Sequence, residues 1–219
     1  MRLGNFLMWM LLIPAVMLTS FLCVAQNGTL YGALQDRNGV NEAVTGVSDA
    51  DRYRLNGAMA AYLRGEQQEL DDRAVVYGVD QTAFNDTERM HMVDVRGLFG
   101  LARKVCAGLW AGGAVVMVGL VLRRKRLLPG FCAALVMWAA VFAVAALWAV
   151  CDFTGAFVWF HRLLFSNELW ILNPATDLMI RMLPEAFFAG IAAVCAGAMI
   201  AAVALAGAAA WAWDRLAKC

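Results

Sequence analysis

Apolar and polar positions fall into long blocks along this chain, not into the short alternations of a soluble domain. Residues 3–35 carry no Asp, Glu, Lys or Arg, and neither do 105–122, 127–151 or 186–213. A helix needs about 20 mostly apolar residues to cross a bilayer. All four blocks reach or approach that length. The pattern therefore predicts an α-helical membrane protein, a four-transmembrane-helix bundle with a mixed extracellular cap of short strands plus helices. The expected divisions are a first span at 1–25, the cap at 26–85 and a long helix at 86–122 that includes the second span. A cytoplasmic turn at 123–129, a third span at 130–150, an outer interfacial segment at 151–187, a fourth span at 188–213 and a tail at 214–219 complete the chain.

The water-facing segment has its own punctuation. Gln26 to Val40 contains Gly28, Gly32 and Gly39 and reads as turn plus short strand. Ser48 caps a helix whose first turn carries Asp49 and Asp51 and which stops at Gly65. Ala74-Val75-Val76-Tyr77 is a short strand candidate. Asn85 with Glu88 three residues on forms a capping box that opens the long helix, and no Pro interrupts Glu88 to Lys104. A straight helix at 1.5 Å per residue puts His91 roughly 20 Å from Cys106 along its axis. Residues 151–187 are dense in aromatics and read as lying in the headgroup zone. Gly108 and Gly112 form a GxxxG, and 189–210 is almost all Ala, Gly and Val. This places spans two and four at the bundle centre.

Composition sharpens the picture. The chain has 219 residues, 62% hydrophobic and 16% charged, where a soluble domain carries roughly a quarter charged. This excludes a soluble enzyme, a nucleic-acid binder and a secreted disulfide scaffold. The net charge of +1 divides by side. Arg2, the Arg123-Arg124-Lys125-Arg126 turn, Arg215 and Lys218 are seven bases against one acid, Asp214. The other two connections hold 11 bases and 16 acids. Short Lys/Arg-rich loops stay cytoplasmic, so both termini and the 123–129 turn are placed inside. Arg89, Arg96, Arg103 and Lys104 run against that assignment, but long loops translocate largely regardless of charge. The first span resembles a signal peptide in its early Arg2 and its Cys23-Val24-Ala25, yet its apolar run is longer than a usual signal core; it is read as retained. Pro14 lies inside it and is expected to kink it. Cys23, Cys106, Cys132, Cys151, Cys195 and Cys219 show no paired spacing, and no essential disulfide is expected.

No ionisable residue lies deep in a span, which argues against an ion channel or proton-coupled transporter. The chemistry-bearing residues are two histidines, His91 and His161, both in segments that approach the outer surface. His91 and Asp94 stand at i, i+3 and share a helix face. A carboxylate there would fix the tautomer of the imidazole, as the third member of a catalytic triad does. His161 stands among aromatics beside Arg162, where partial dehydration tunes its pKa. Lipid ester carbonyls lie at the same depth. Ser166 is read as capping the turn to Asn167, not as a nucleophile. Two imidazoles with no neighbouring cysteine make a poor ligand set, so no metal is expected.

Two blocks of residues resemble a known family. Glu88-Arg89-Met90-His91-Met92-Val93-Asp94-Val95-Arg96-Gly97-Leu98-Phe99 is the first. The second is Phe160-His161-Arg162-Leu163-Leu164-Phe165-Ser166-Asn167-Glu168-Leu169-Trp170, followed by Asn173-Pro174 and Leu183-Pro184-Glu185-Ala186-Phe187-Phe188. They are similar to the signature blocks of the lipoprotein intramolecular transacylases, the Lit family. The four-span layout, the large first outer loop and the helix around Tyr62-Leu63 are similar too. The chain departs from the family pattern near Asn173, where an acid is expected and an amide stands.

The resemblance implies a specific activity. Family members move the sn-2 acyl chain of a diacylglyceryl-Cys lipoprotein to the α-amine of that same Cys, giving a lyso-form lipoprotein. No cofactor is implied. The partners implied are the lipoprotein substrate and membrane lipids, at the outer surface of a bacterial cytoplasmic membrane. An amine must then attack an ester, which a pair of imidazoles can serve near neutral pH. His161 is expected as principal base or acid, and His91, oriented by Asp94, as the second proton-transfer or oxyanion group. Arg162, Asn167 and Trp170 are the candidate oxyanion donors. This grouping requires the 86–104 helix to lie beside the 151–187 segment. The competing readings are a non-enzymatic assembly or partner-binding membrane protein, and another lipid-ester-modifying enzyme built on the same histidines.

Overall fold

The computed structural model describes residues 3–217, so Arg2, Lys218 and Cys219 lie outside the described residues. Nine helices and one hairpin are present among them: α1 (Leu3–Ala25), α2 (Gly28–Arg37), α3 (Glu42–Thr45), α4 (Asp49–Arg64), β1 (Arg73–Val76), β2 (Val79–Thr82), α5 (Asp86–Leu122), α6 (Leu128–Cys151), α7 (Phe153–Leu164), α8 (Leu178–Met182) and α9 (Glu185–Leu216). Four of these, α1, α5, α6 and α9, are long and apolar enough to cross a membrane. The chain divides into two compact units. One comprises residues 1–22, 101–153 and 195–219, and the other 23–100 and 154–194.

The first unit is the apolar bundle. Its core gathers Met8, Trp9, Leu12 and Ile13 of α1 with Phe131 and Ala134 of α6 and Val203 and Ala210 of α9. Trp9 meets Phe131 edge to face at 5.0 Å. The expectation that spans two and four form the centre is corrected here. In α1, 28% of the most apolar stretch is buried, against 11% in α5 and in α9. Gly108 faces open space, and the close approach falls instead at Gly113, where a Cβ would come within 2.3 Å of Leu12. Most of the apolar stretch of α9 is thus left unburied. The helix α1 continues through Pro14 without a break.

The second unit carries its own core, from Tyr31 and Leu34 through Leu55, Met59 and Phe84 to Met92, Leu178, Met182 and Phe187. The turn-plus-strand reading of 26–40 is overturned, because the segment is the helix α2. Asn27 caps it, accepting a hydrogen bond from the Leu30 amide at 3.0 Å. Gly28 and Gly32 are contact points against α4 and not breakers: a Cβ on Gly28 would lie 2.8 Å from the Asn56 carbonyl oxygen, and one on Gly32 would overlap the Tyr53 ring. Ser48 caps α4 through the Asp51 amide, and Gly65 ends it at φ +86°. The strand candidate pairs with β2 as an antiparallel hairpin in which Val76 opposes Val79. Tyr77 and Gly78 both have positive φ, as a two-residue hairpin turn requires.

A buried polar network ties this unit together. Arg52, 2% exposed, forms ion pairs with Asp36 at 2.7 Å and Asp49 at 2.9 Å and donates to Gln35 at 2.9 Å. Gln35 donates in turn to Asn56 and to the Met182 carbonyl of α8 at 2.9 Å. Every buried charge in it therefore has a partner, which the cost of burying one alone demands.

Candidate functional site

The site begins at the N-terminus of α5. Asn85 and Glu88 satisfy each other's backbone amides, at 2.7 Å and 3.0 Å, as the capping box predicts. Glu88 does more than cap. Only 1% exposed, it also accepts the Met179 amide at the start of α8. Burial pushes its carboxyl above the usual range, offset in part by the two backbone amides. Asp177 accepts from the Asn173 amide at 2.7 Å, from Thr176, and from the Asn85 side chain at 2.9 Å. Burial alone would raise its pKa, but these hydrogen bonds outweigh it and hold the carboxyl low. The amide at Asn173 thus has its acid four residues on. Together these contacts fix the first turn of α5 against α8, and α8 against the Gln35 network.

One turn after Glu88, in the charged part of α5 that precedes the uncharged 105–122 stretch, stands His91. It is 8% exposed, and its Nδ1 is buried without a hydrogen-bond partner. His161 lies on α7, and the two ring centroids are 6.3 Å apart, inclined at 35°. Residues 70 positions apart are thereby brought together. Phe165 packs against both, at 5.2 Å from His91 and 5.7 Å from His161. Phe157 at 4.1 Å, Phe160 at 5.5 Å and Trp170 at 5.0 Å complete the wall around His161.

The tautomer of His161 follows from its hydrogen bond. Its Nδ1 lies 2.8 Å from the Phe157 carbonyl oxygen. A carbonyl only accepts, so Nδ1 carries the proton and neutral His161 keeps its lone pair on Nε2. For His91 the orphaned Nδ1 is cheaper as a bare acceptor than as a buried N–H, since unsatisfied donors are the rarer of the two. That assigns its proton to Nε2. Burial, then the charge of His161, push the His91 imidazole down to about 4, against a smaller opposing effect of Asp94. Burial also lowers His161, opposed by the Phe157 carbonyl. Both rings are neutral at pH 7.

The supporting residues sit differently from the sequence expectation. Asp94 does not bond His91; its carboxylate accepts from Asn167 Nδ2 at 2.9 Å. Asn167 Oδ1 takes the Leu169 amide, and its carbonyl takes the Trp170 indole N–H at 3.1 Å. The Trp170 donor is therefore spent within the turn, and its ring stacks on His161 at 30°. Arg162 is exposed and forms no hydrogen bond or ion pair among the described residues. Ser166 is exposed and forms no hydrogen bond among the described residues; Asn167 Oδ1 holds the turn through the Leu169 amide, so the capping expected of Ser166 is corrected. No group of three or more His, Cys, Asp or Glu residues suited to a metal is found among the described residues. Sequence reading set His161 among aromatics without assigning Phe157 or Phe165 to the site, and it missed the second task of Glu88. The i−4 spacing of Phe157 to His161 was the one available signal, because it puts a helix carbonyl beneath the ring.

Comparison with known proteins agrees with this architecture. The fold is similar to the in meso structure of the membrane-integral lipoprotein intramolecular transacylase Lit from Bacillus cereus, with a TM-score of 0.78 at 19% identity over 99% of this chain and 95% of that one. Two variants of that protein, with one histidine replaced by arginine or by alanine, match with a TM-score of 0.74 at 20% identity. Each match covers 99% of this chain, with 91% and 93% of the respective variants. No curated protein matches significantly. Residues 6–188, most of the chain, match the family described as lipoprotein intramolecular transacylase Lit, and this multi-pass membrane protein belongs to that family.

Proposed function

We propose that the chain transfers the sn-2 acyl group of a diacylglyceryl-Cys lipoprotein to the α-amine of the same Cys, with His161 and His91 as the reacting pair. The observation that carries this reading is the complementarity of the two imidazoles. His161 offers a bare Nε2 because Phe157 holds its other nitrogen, while His91 offers an N–H because its Nδ1 is an unpartnered acceptor. A base and a hydrogen-bond donor are then carried by two rings whose centroids are 6.3 Å apart.

His161 Nε2 takes a proton from the substrate ammonium, and the freed amine attacks the ester carbonyl. The oxyanion that forms accepts from His91 Nε2–H. As the intermediate collapses, the C–O bond to glycerol breaks. The His161 imidazolium returns its proton to the glycerol oxygen and then takes the second proton from the attacking nitrogen, to be released to solvent, leaving a neutral amide and a free hydroxyl. Atoms balance within one molecule, so mass is unchanged. Donor and acceptor share one thioether anchor, which supplies much of the rate by proximity. Asp94, Asn167 and Trp170 act on His161 by position: the turn held by Asn167 lays the indole on the ring. Arg162, exposed and without an ion pair among the described residues, is assigned to the substrate's polar head and not to the oxyanion. The charge distribution supports both termini inside and the histidine pair at the outer leaflet of a bacterial cytoplasmic membrane.

The test is expression in a lipoprotein-producing bacterium lacking its own N-acylating enzymes, beside His91→Ala and His161→Ala. Tandem mass spectrometry of a reporter's N-terminal lipopeptide is expected to show N-acyl, monoacylglyceryl Cys of unchanged mass, lost in either variant. Loss of one acyl chain by mass would indicate a hydrolase. A free amine on diacylglyceryl Cys, with the protein well expressed, would overturn the reading in favour of assembly or partner binding.

A further inference from the structure

We infer that the turn between α5 and α6 is a binding site for an anionic phospholipid, with the phosphate on Arg123, Arg124 and Lys125 and an acyl chain along one face of α5. The turn is held in one shape by the bundle beneath it. The carbonyls of Lys125, Arg126 and Leu127 accept, in order, from Trp213 Nε1 at 2.9 Å, Asn5 Nδ2 at 2.7 Å and Trp9 Nε1 at 3.0 Å. The Leu127 amide donates to Asp214, which is 4% exposed and also pairs with Arg126 at 3.3 Å. Arg124 is kept at φ +47°, a conformation that a non-glycine residue adopts only when its surroundings impose it.

A basic turn that served only to orient the chain needs charge and no fixed geometry. Here Asp214, the acid at this turn, is already spent on Leu127 and Arg126. Arg123, Arg124 and Lys125 are exposed and have no ion pair among the described residues. Three cations on consecutive residues of one turn repel each other, and a diffuse anion among them relieves that repulsion. The neighbouring surface suits the rest of a lipid. Val115, Val118 and Leu122 stand at i, i+3 and i+7 on α5 and are 75%, 54% and 79% exposed. That apolar stripe ends at Arg123, so hydrocarbon and headgroup contacts are continuous.

The test uses the full chain in nanodiscs and native mass spectrometry of retained lipid. Phosphatidylglycerol and phosphatidylcholine of the same chains compete, with and without inorganic phosphate. The variant Arg123→Gln/Arg124→Asn/Lys125→Gln keeps a residue that tolerates positive φ at position 124. Arg123→Gln alone covers the case in which the triple variant does not fold. The wild type is expected to retain phosphatidylglycerol selectively. Retention should weaken about 5-fold in the single variant and on the order of 100-fold in the triple, at about 5-fold per cation. Equal retention of the two lipids, or equal phosphatidylglycerol retention by wild type and Arg123→Gln, overturns the proposal. Displacement of the lipid by millimolar phosphate would make the ligand a free anion and overturns it likewise.

Discussion

Replacing His91 by Phe should make the protein less sensitive to acid. In the folded state His91 is buried, its Nδ1 has no partner, and it titrates at about 4 in place of its ordinary 6.5. Burial is the main cause. The charge of His161 adds to it as the smaller contribution, and Asp94 opposes both. The folded value is depressed, so the unfolded chain takes up the proton first as pH falls. Above 6.5 both states are neutral at this site, and stability is fully present. It is lost between 6.5 and 4, by about 3 kcal/mol in all. At roughly 2–4 °C per kcal/mol for a chain of this length, the melting temperature should fall by roughly 6–12 °C on this account. His91→Phe fills the same space beside Phe165 and carries no proton. Intrinsic tryptophan fluorescence in detergent between pH 7.5 and 4 measures both proteins. The reasoning fails if the variant loses as many degrees as the wild type over that window.

Three further outcomes are expected. Asn167→Ala removes the bond to Asp94 and the Leu169 turn contact, and should lower kcat roughly 5–10-fold with little change in KM, at about 1 kcal/mol for a net hydrogen bond; an unchanged kcat in the mass-spectrometric assay would show that the turn does not position His161. Glu88→Gln leaves either the Met179 or the Asn85 amide facing an NH2 group, so chemical denaturation should show a loss of about 2 kcal/mol. Ser166→Ala should leave turnover within about 2-fold, as an exposed residue without structural duty, and a collapse of activity would instead mark a serine nucleophile.

The four spans were legible in the chain because each is a charge-free block long enough to cross hydrocarbon, and only a helix satisfies its own backbone there. The start of α5 was legible because Asn85 and Glu88 are neighbours in sequence and bond locally. The two histidines were singled out by residue type and depth. The glycines of α2 misled because Gly28 and Gly32 look like breakers, whereas the Asn56 carbonyl and the Tyr53 ring, which require them, come from α4. Gly108 misled in the opposite way: a small-residue motif shows that close approach is permitted, and the neighbouring turn of the helix put Gly113 against Leu12. The tertiary structure alone decided that His91 and His161 share one site and that Asp94 serves Asn167. It likewise decided that a remote amide at Met179 occupies Glu88. These contacts join residues 73 and 91 positions apart. Hydrophobic period and capping act within a few residues, while such pairings depend on which helix faces the packed core brings together.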